Sequence, residues 1–419
     1  MTPASEGTST AIGRRAALRW FALSASGLVL AGCAADPTAP PPATPTPVPT
    51  RTPTPTAGAA VGSGTPTTQA SYGPNGTHYP ENLPWLGDTS THEFVAECNW
   101  SSIGQILEEL TDEEVAAGAV IRVKPGELPG NGSGSNAGPV LQNVGNETWS
   151  RNVLICPRDG FGSVTISAGG IRIDQCANLA LFGFLSTGSF VLTLCTNMLM
   201  GWSKWGGMNV TRGVKGMGFY ELVLGFRRDE MDTAGVRPTE AYEMTDIQRH
   251  GCLFGPSVKP AGSGAHCDTI QMEGTGNGPF GPLTSVDCVD FGSSNAAELL
   301  HTAVTYAEYR NCLILAGTLP WTVYPLAPGD YEGEPNAFAG GCMDVRLADT
   351  IVAGAVGRMG FTQVHNSTLS YPPQDAQQPS VSGSWQVDAS IAGWDAAKIM
   401  SLQTLDDYEP SSFTALWTW

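Results

Sequence analysis

The chain has 419 residues, with 21 basic against 39 acidic side chains, a net charge of −18 and 41% hydrophobic residues. That acidity argues against general nucleic-acid binding, and the length is more than enough for a sizeable core. Its cysteines show no Cys-x-x-Cys spacing of the kind a zinc site uses.

Residues 1–32 read as a targeting segment. Arg14 and Arg15 precede an apolar run from Trp20 to Leu30, which ends in Leu30-Ala31-Gly32-Cys33. The run is too short to span a bilayer as a stable helix, for which about 20 residues are needed. The arginine pair resembles a twin-arginine export signal, which implies passage in the folded state, and Leu-Ala-Gly-Cys resembles the lipobox of lipoprotein signal peptides. Cleavage would leave Cys33 to carry the acyl chains and anchor the protein at the outer face of a bacterial membrane. It would also remove Arg14, Arg15, Arg19 and Glu6, leaving 18 basic against 38 acidic residues and a net charge of −20.

Residues 33–71 are dominated by Pro, Thr and Ala, then by Gly, Ser and Thr, and form a solvated tether without a core. Residues 72–419 form one domain, as no second low-complexity stretch divides them. Helical periodicity is convincing only from Ile103 to Ala116. Short β-prone runs follow at Val120–Val123, Val153–Ile155, Val164–Ile166 and Ile171–Ile173, each ended by turn residues. The domain is therefore all-β with a short N-terminal helix.

Internal repetition selects the architecture. Ile171–Phe184 superimposes on Phe190–Ser203 at an offset of 19, aligning Cys176 with Cys195, Asn178 with Asn197 and Leu179 with Met198. A further shift of about 18 brings Gly213, Lys215 and Met217 to the same places. The phrase returns at Val286–Phe291, Tyr309–Leu315, Ala348–Ala353 and Asn366–Ser370. A period near 18 to 24 resembles the right-handed parallel β-helix of the pectate-lyase-like superfamily, in which each coil stacks its strands on the coil below. The helix would cap the open end. Cys176 and Cys195 would then stack inside as small apolar residues, with a disulfide as the alternative; nine cysteines follow Cys33, so at least one has no intramolecular partner. A β-sandwich would need hairpin turns of Asn-Gly or Asp-Gly type, which are scarce here.

One segment carries the strongest chemical signal: Gly264-Ala-His266-Cys-Asp268-Thr-Ile270-Gln271-Met272. Ile270 and Met272 have inward spacing, so Gln271 points out, with His266 and Asp268 at the turn before it. His-x-Asp-x-Ile-Gln resembles a stretch found in parallel β-helix proteins that act on polysaccharides. Asp268 matches the first acid of the polygalacturonase phrase Asn-Thr-Asp-Gly-x-Asp, but Gln271 replaces the second, which argues against a paired-carboxylate hydrolase. Gly-His-Gly is represented only by Arg249-His250-Gly251, and Arg237-Pro238 stands without the rest of a pectate-lyase arginine signature.

Between Lys204 and Lys259 eight basic residues meet seven acidic ones, leaving +1 in a strongly acidic chain. Arginine forks there suit the carboxylates of a uronic-acid polymer. The resemblance implies lyase chemistry. The uronate carboxylate is neutralised, the adjacent C5 proton becomes acidic, a base removes it and the 4-O group departs. His266, His250, Arg249 and Lys259 are the candidate bases. Arg249, Gln271, or a Ca²⁺ ion held by Asp268 with Asp246 or Glu243, would neutralise the carboxylate. Arg212, Lys215, His301 and Arg310 are candidate substrate contacts, the last two in a cluster with Tyr306 and Glu308. Trp202, Trp205 and Trp321 suit sugar stacking or, more simply, packing. A non-catalytic surface adhesin and a glycoside hydrolase remain as alternative functions.

Overall fold

The computed structural model describes residues 79–80, 91–132, 137–239, 241–274, 279–357, 359–372 and 382–402. The export signal, Cys33 and the tether lie outside them.

The domain is an all-β, solenoid-like stack in which every strand ladder is parallel. Three sheets run side by side. Sheet A begins with His92–Ala96, Ala119–Val123, Val153–Pro157 and Leu179–Phe182, and later takes in Met244–His250, Leu283–Val286, Ala307–Arg310 and Val345–Ala348. Sheet B contains Gly126–Leu128, Val164–Ile166, Leu253–Phe254, Val289–Phe291, Leu313–Leu315 and Ile351–Ala353. Sheet C contains Leu141–Gln142, Ile171–Asp174, Ala234–Pro238, Asp268–Met272, Ala296–Leu300 and Asn336–Ala339. The chain visits them in the order C, A, B in each coil. Two coils are so short-turned that Ser189–Trp205 and Gly207–Leu224 each pass through all three sheets as one bent strand.

The bends have a local cause. Where sheet A turns into sheet B, one residue per coil takes a left-handed conformation: Gly183, Trp202, Glu221, Gly251, Asp287, Asn311, Asp349 and Asn366. Asn and Asp tolerate this region better than other side chains, and the last four of these corners, Asp287, Asn311, Asp349 and Asn366, use them. The Asn366 amide donates to Asp349 Oδ1 at 2.6 Å, tying successive corners. The next residue points inward, and where it is Ser or Thr its hydroxyl accepts a main-chain N–H from the coil before. Thr350 Oγ1 accepts from Cys312 at 3.3 Å and Ser367 Oγ from Thr350 at 3.1 Å.

Cys176 and Cys195 are buried with free thiols, as are all the other described cysteines except half-buried Cys98. The disulfide alternative is thereby set aside for the described residues. Burial pushes both thiols up, to about 12 for Cys176 and about 11 for Cys195. The next coil corrects the sequence register by one residue. Cys195 pairs with Val214 rather than Gly213, and Gly216, not Lys215, lies against Asn197, while Met198 does sit beside Met217.

The single helix expected over Ile103–Ala116 is two. The first, α1, is Trp100–Glu109, capped by Asn99 and burying Trp100, Ile103 and Leu107; the second, α2, is Asp112–Ala117. Leu110 is extended, and the reciprocal hydrogen bonds of Thr111 and Glu114 start a new helix there. Both contact the first strands of sheet A, consistent with an end cap. A second apolar cluster lies on the outside of sheets A and B, where Ile391 and Ile399 cover Leu313, Leu315 and Leu319.

Candidate functional site

The outer face of sheet C gathers polar side chains from successive coils. Along it, Ala234 and Val236 are buried with Ile270 and Met272, so Arg237 and Gln271 face outward. Register places Asn209 beside Gly235 and Gly235 beside Gln271. The absence of a side chain at Gly235 leaves room for the Arg237 guanidinium and the Asn209 side chain, which a Cβ there would push aside. In the space it leaves, Arg237 folds back and donates to Asn209, to Asp232 and, at 2.5 Å, to Gln271 Oε1. About a third of the arginine side chain stays exposed (35%), whereas Asp232 is largely covered. Gln271 also donates to Glu273 at 3.3 Å.

Asp268 lies beneath this group and is fully enclosed (0% exposed). Its amide donates to Asp232 Oδ1 at 2.8 Å and its Oδ1 accepts from Asn295 Nδ2 at 2.7 Å. Its other oxygen, Oδ2, is buried with no hydrogen-bond partner. Burial pushes the Asp268 carboxyl up to about 7, and the charges of Asp232 and Glu273 act in the same direction. Burial also raises Asp232, against the pull of the Asp268 amide, Arg237 and the nearby His266. His266 itself is exposed on the turn leading into the strand. The structure therefore brings His266, Asp268 and Gln271 together around two residues of the preceding coil, Asp232 and Arg237. Farther down the same face Arg172 forms a two-pronged pair with Asp174, at 2.9 and 2.5 Å.

Several expected site residues lie elsewhere. Arg249 shares the inward row of sheet A with Ile247 and is 1% exposed. Its guanidinium meets Asp290 at 2.7 and 3.0 Å and Ser285 Oγ at 2.8 and 3.1 Å, with Glu298 at 3.4 Å. It is a core residue and can neither abstract a substrate proton nor meet a substrate carboxylate. His250 points out of sheet A, a different face from His266, with its ring centroid 5.3 Å from that of Tyr220 and 5.2 Å from that of Tyr79. Lys259 braces the His266 loop by donating to the Ala265 carbonyl at 2.7 Å, and lies over the Tyr331 ring.

The Ca²⁺ set is not assembled. Asp268 opens a strand of sheet C, whereas Glu243 and Asp246 lie past that sheet's far end, about 15 Å away at the rise of an extended chain. Among the described residues no three His, Cys, Asp or Glu side chains come together to hold a metal. Glu243 instead pairs with Lys215 at 3.0 Å beside a cavity of about 340 Å³ at the corner between sheets C and A; exposed Arg212 lies at the same corner. The His301 cluster divides. His301 ends a strand of sheet C and accepts from the Ala303 amide at 3.2 Å, while Arg310 pairs with Glu308 on sheet A and Tyr306 lies under Arg346. Trp202 and Trp205 are buried packing residues, and Trp321 donates to the Gly333 carbonyl. From the sequence, Arg237 stood out only as one basic residue among eight and as an incomplete arginine signature with Pro238, and Asp232, Asn209 and Asn295 were passed over. Gly235, two residues before Arg237, was the available signal.

No family model and no curated protein matches the chain. Among solved structures it is similar to the PL6 family alginate lyase AlyGC at 12% identity and a TM-score of 0.40, over 66% of this chain and 44% of that one. It is also similar to the A-module of the Azotobacter vinelandii mannuronan C-5 epimerase AlgE6 at 11% identity and a TM-score of 0.24, over 73% and 94% of the two chains. The catalytic domain of a GH87 α-1,3-glucanase is similar at 12% identity and a TM-score of 0.21, over 69% and 60%. The chain thus spans less than half the length of the alginate lyase. At such distances the function has to be argued from the site itself.

Proposed function

We propose that this protein is a right-handed parallel β-helix held on the outer face of a bacterial membrane, where it binds an acidic polysaccharide and cleaves it by β-elimination. The observation that carries this reading is the Arg237 cradle. A partly exposed guanidinium is fixed by Asn209, Asp232 and Gln271, on a face whose polar residues recur from Arg172 to His301. Six strands of sheet C cover that span, about 24 Å at the usual strand spacing, which suits an extended polymer. Arg237 takes the place that Arg249 and Ca²⁺ held in the sequence-based expectation.

The chemistry follows from charge. Arg237 pairs with the uronate carboxylate and stabilises the negative charge that develops as C5 loses its proton. The imidazole of His266, which lies beside Asp232, takes that proton. The electron pair forms the C4=C5 double bond, the C4–O bond breaks, and the leaving oxygen is protonated from solvent. Incubation with polyuronates should yield the ultraviolet absorbance of an unsaturated product, and Arg237→Ala and His266→Ala should each lower kcat/KM by about 100-fold or more. Silence across polyuronates with binding retained would show a non-catalytic adhesin; reducing ends without the absorbance would show hydrolysis.

Attachment is proposed through Cys33, on the strength of the Leu-Ala-Gly-Cys order and the arginine pair before it. Cys33→Ser should shift the protein from the detergent phase to the soluble fraction. Retention of the variant with the membrane would refute lipidation at this residue.

A further inference from the structure

Asp268 cannot touch a polymer, because none of its surface is exposed, yet it is wired to the residue that would. Its amide binds Asp232 Oδ1, and the same Asp232 carboxylate holds the Arg237 guanidinium through Oδ2. Asn295 donates to one oxygen of Asp268, the Ala296 amide also acts on the carboxyl, and the other oxygen, Oδ2, is enclosed with no donor in hydrogen-bonding geometry. A charged carboxylate oxygen in that setting is costly, and a neutral carboxyl is much less so.

We infer that Asp268 is a positioning residue whose proton sets how strongly Asp232 and Arg237 engage each other, so that a uronate carboxylate at Arg237 and a proton on Asp268 are taken up together. This rests on the uronate reading above. With Asp268 ionised, two stacked carboxylates compete with the ligand for one guanidinium. With Asp268 neutral, Arg237 balances Asp232 and has attraction left for the ligand. The groups that face Asp268 are Asp232 on the coil before, Asn295 and the Ala296 amide on the coil after, and Glu273 at the end of its own strand. Cys267, Lys259 and His266 lie around the loop that leads into it. The raised position of its carboxyl, about 7, puts the change in the neutral range. Linkage makes the effect reciprocal, so binding draws a proton in.

His266 lies beside Asp232, so the test is run in the His266→Ala background, which also stops turnover. Calorimetry with tetramers of galacturonate, mannuronate and guluronate, in buffers of differing ionisation enthalpy, should show proton uptake near pH 7. Affinity should be about tenfold weaker at pH 8.5 than at pH 5.5, equivalent to a one-unit rise of the Asp268 pKa on binding. Adding Asp268→Asn should flatten that dependence and abolish the uptake. Binding whose pH dependence survives Asp268→Asn would overturn the inference. A ligand-free readout separates its failure from that of the uronate reading. The Arg237 Nε–H resonance should move with an inflection near pH 7 in the parent and show none in Asp268→Asn. A flat parent titration overturns the link even if uronates bind. An inflected titration without uronate binding overturns the ligand assignment instead.

Discussion

Replacing Arg249 by methionine is expected to cost about 3–5 kcal/mol of stability, because it strands two acids inside the coil. Asp290 comes from sheet B and Glu298 from sheet C, and both are fully buried around the guanidinium. Burial, with Asp290 alongside, drives the Glu298 carboxyl well above its ordinary range. Burial thus favours its neutral form, and the guanidinium pairs chiefly with Asp290, through two hydrogen bonds. The Phe254 ring closes it from one side, 4.9 Å from the guanidinium carbon. Losing the cation leaves Asp290 to be protonated or solvated at the expense of the fold. The triple change Arg249→Met, Asp290→Leu, Glu298→Met should recover most of the loss, as buried ion pairs are often replaceable by apolar groups of similar volume. Urea unfolding measures both, and an Arg249→Met protein within 1 kcal/mol of the parent would contradict the account.

Asp268→Asn should raise stability at pH 8.5 and lower it by about 2 kcal/mol at pH 4. A carboxyl lifted from 3.8 to about 7 keeps its proton in the fold over a range where the unfolded chain has lost it. Stability therefore falls as pH rises from about 4 to about 7, by at most about 4 kcal/mol at 1.36 kcal/mol per unit. Asparagine keeps an acceptor for Asn295 but places an amide where the partnerless oxygen stood, which returns about 2 kcal/mol of that gain. The net expectation is about 2 kcal/mol at pH 8.5. Equal effects of the substitution at the two pH values would mean that the carboxyl ionises normally.

The fold was legible wherever one coil follows another without insertion. Cys176 and Cys195 are 19 residues apart and occupy corresponding places in consecutive coils, since no loop intervenes between their strands. The corner between sheets A and B was legible because it is one residue long and its backbone favours Asn or Asp. Arg249 was misread for an equally physical reason. Its spacing from the inward Ile247 points inward, but a charged arginine reads as a surface residue until its partners are known, and those partners lie 36 to 49 residues downstream. Likewise His266, Asp268 and Gln271 could be grouped from one strand's alternation. The pairing of Gln271 with Gly235, and hence with Arg237, depends on the length of the intervening coil, which runs through Met244–His250 and Leu253–Phe254 and which no local pattern encodes.

Stacking by nearest neighbours also bears on how such a chain can change over time. Each strand of sheet C hydrogen-bonds only to the coils on either side, so a whole coil can be duplicated or lost with little effect on distant ones. Each such event would lengthen or shorten the polar face by one strand spacing, about 4.8 Å. On the proposed reading the molecule would be a ruler, whose gradations are coils and whose measured length is the stretch of polymer it would hold.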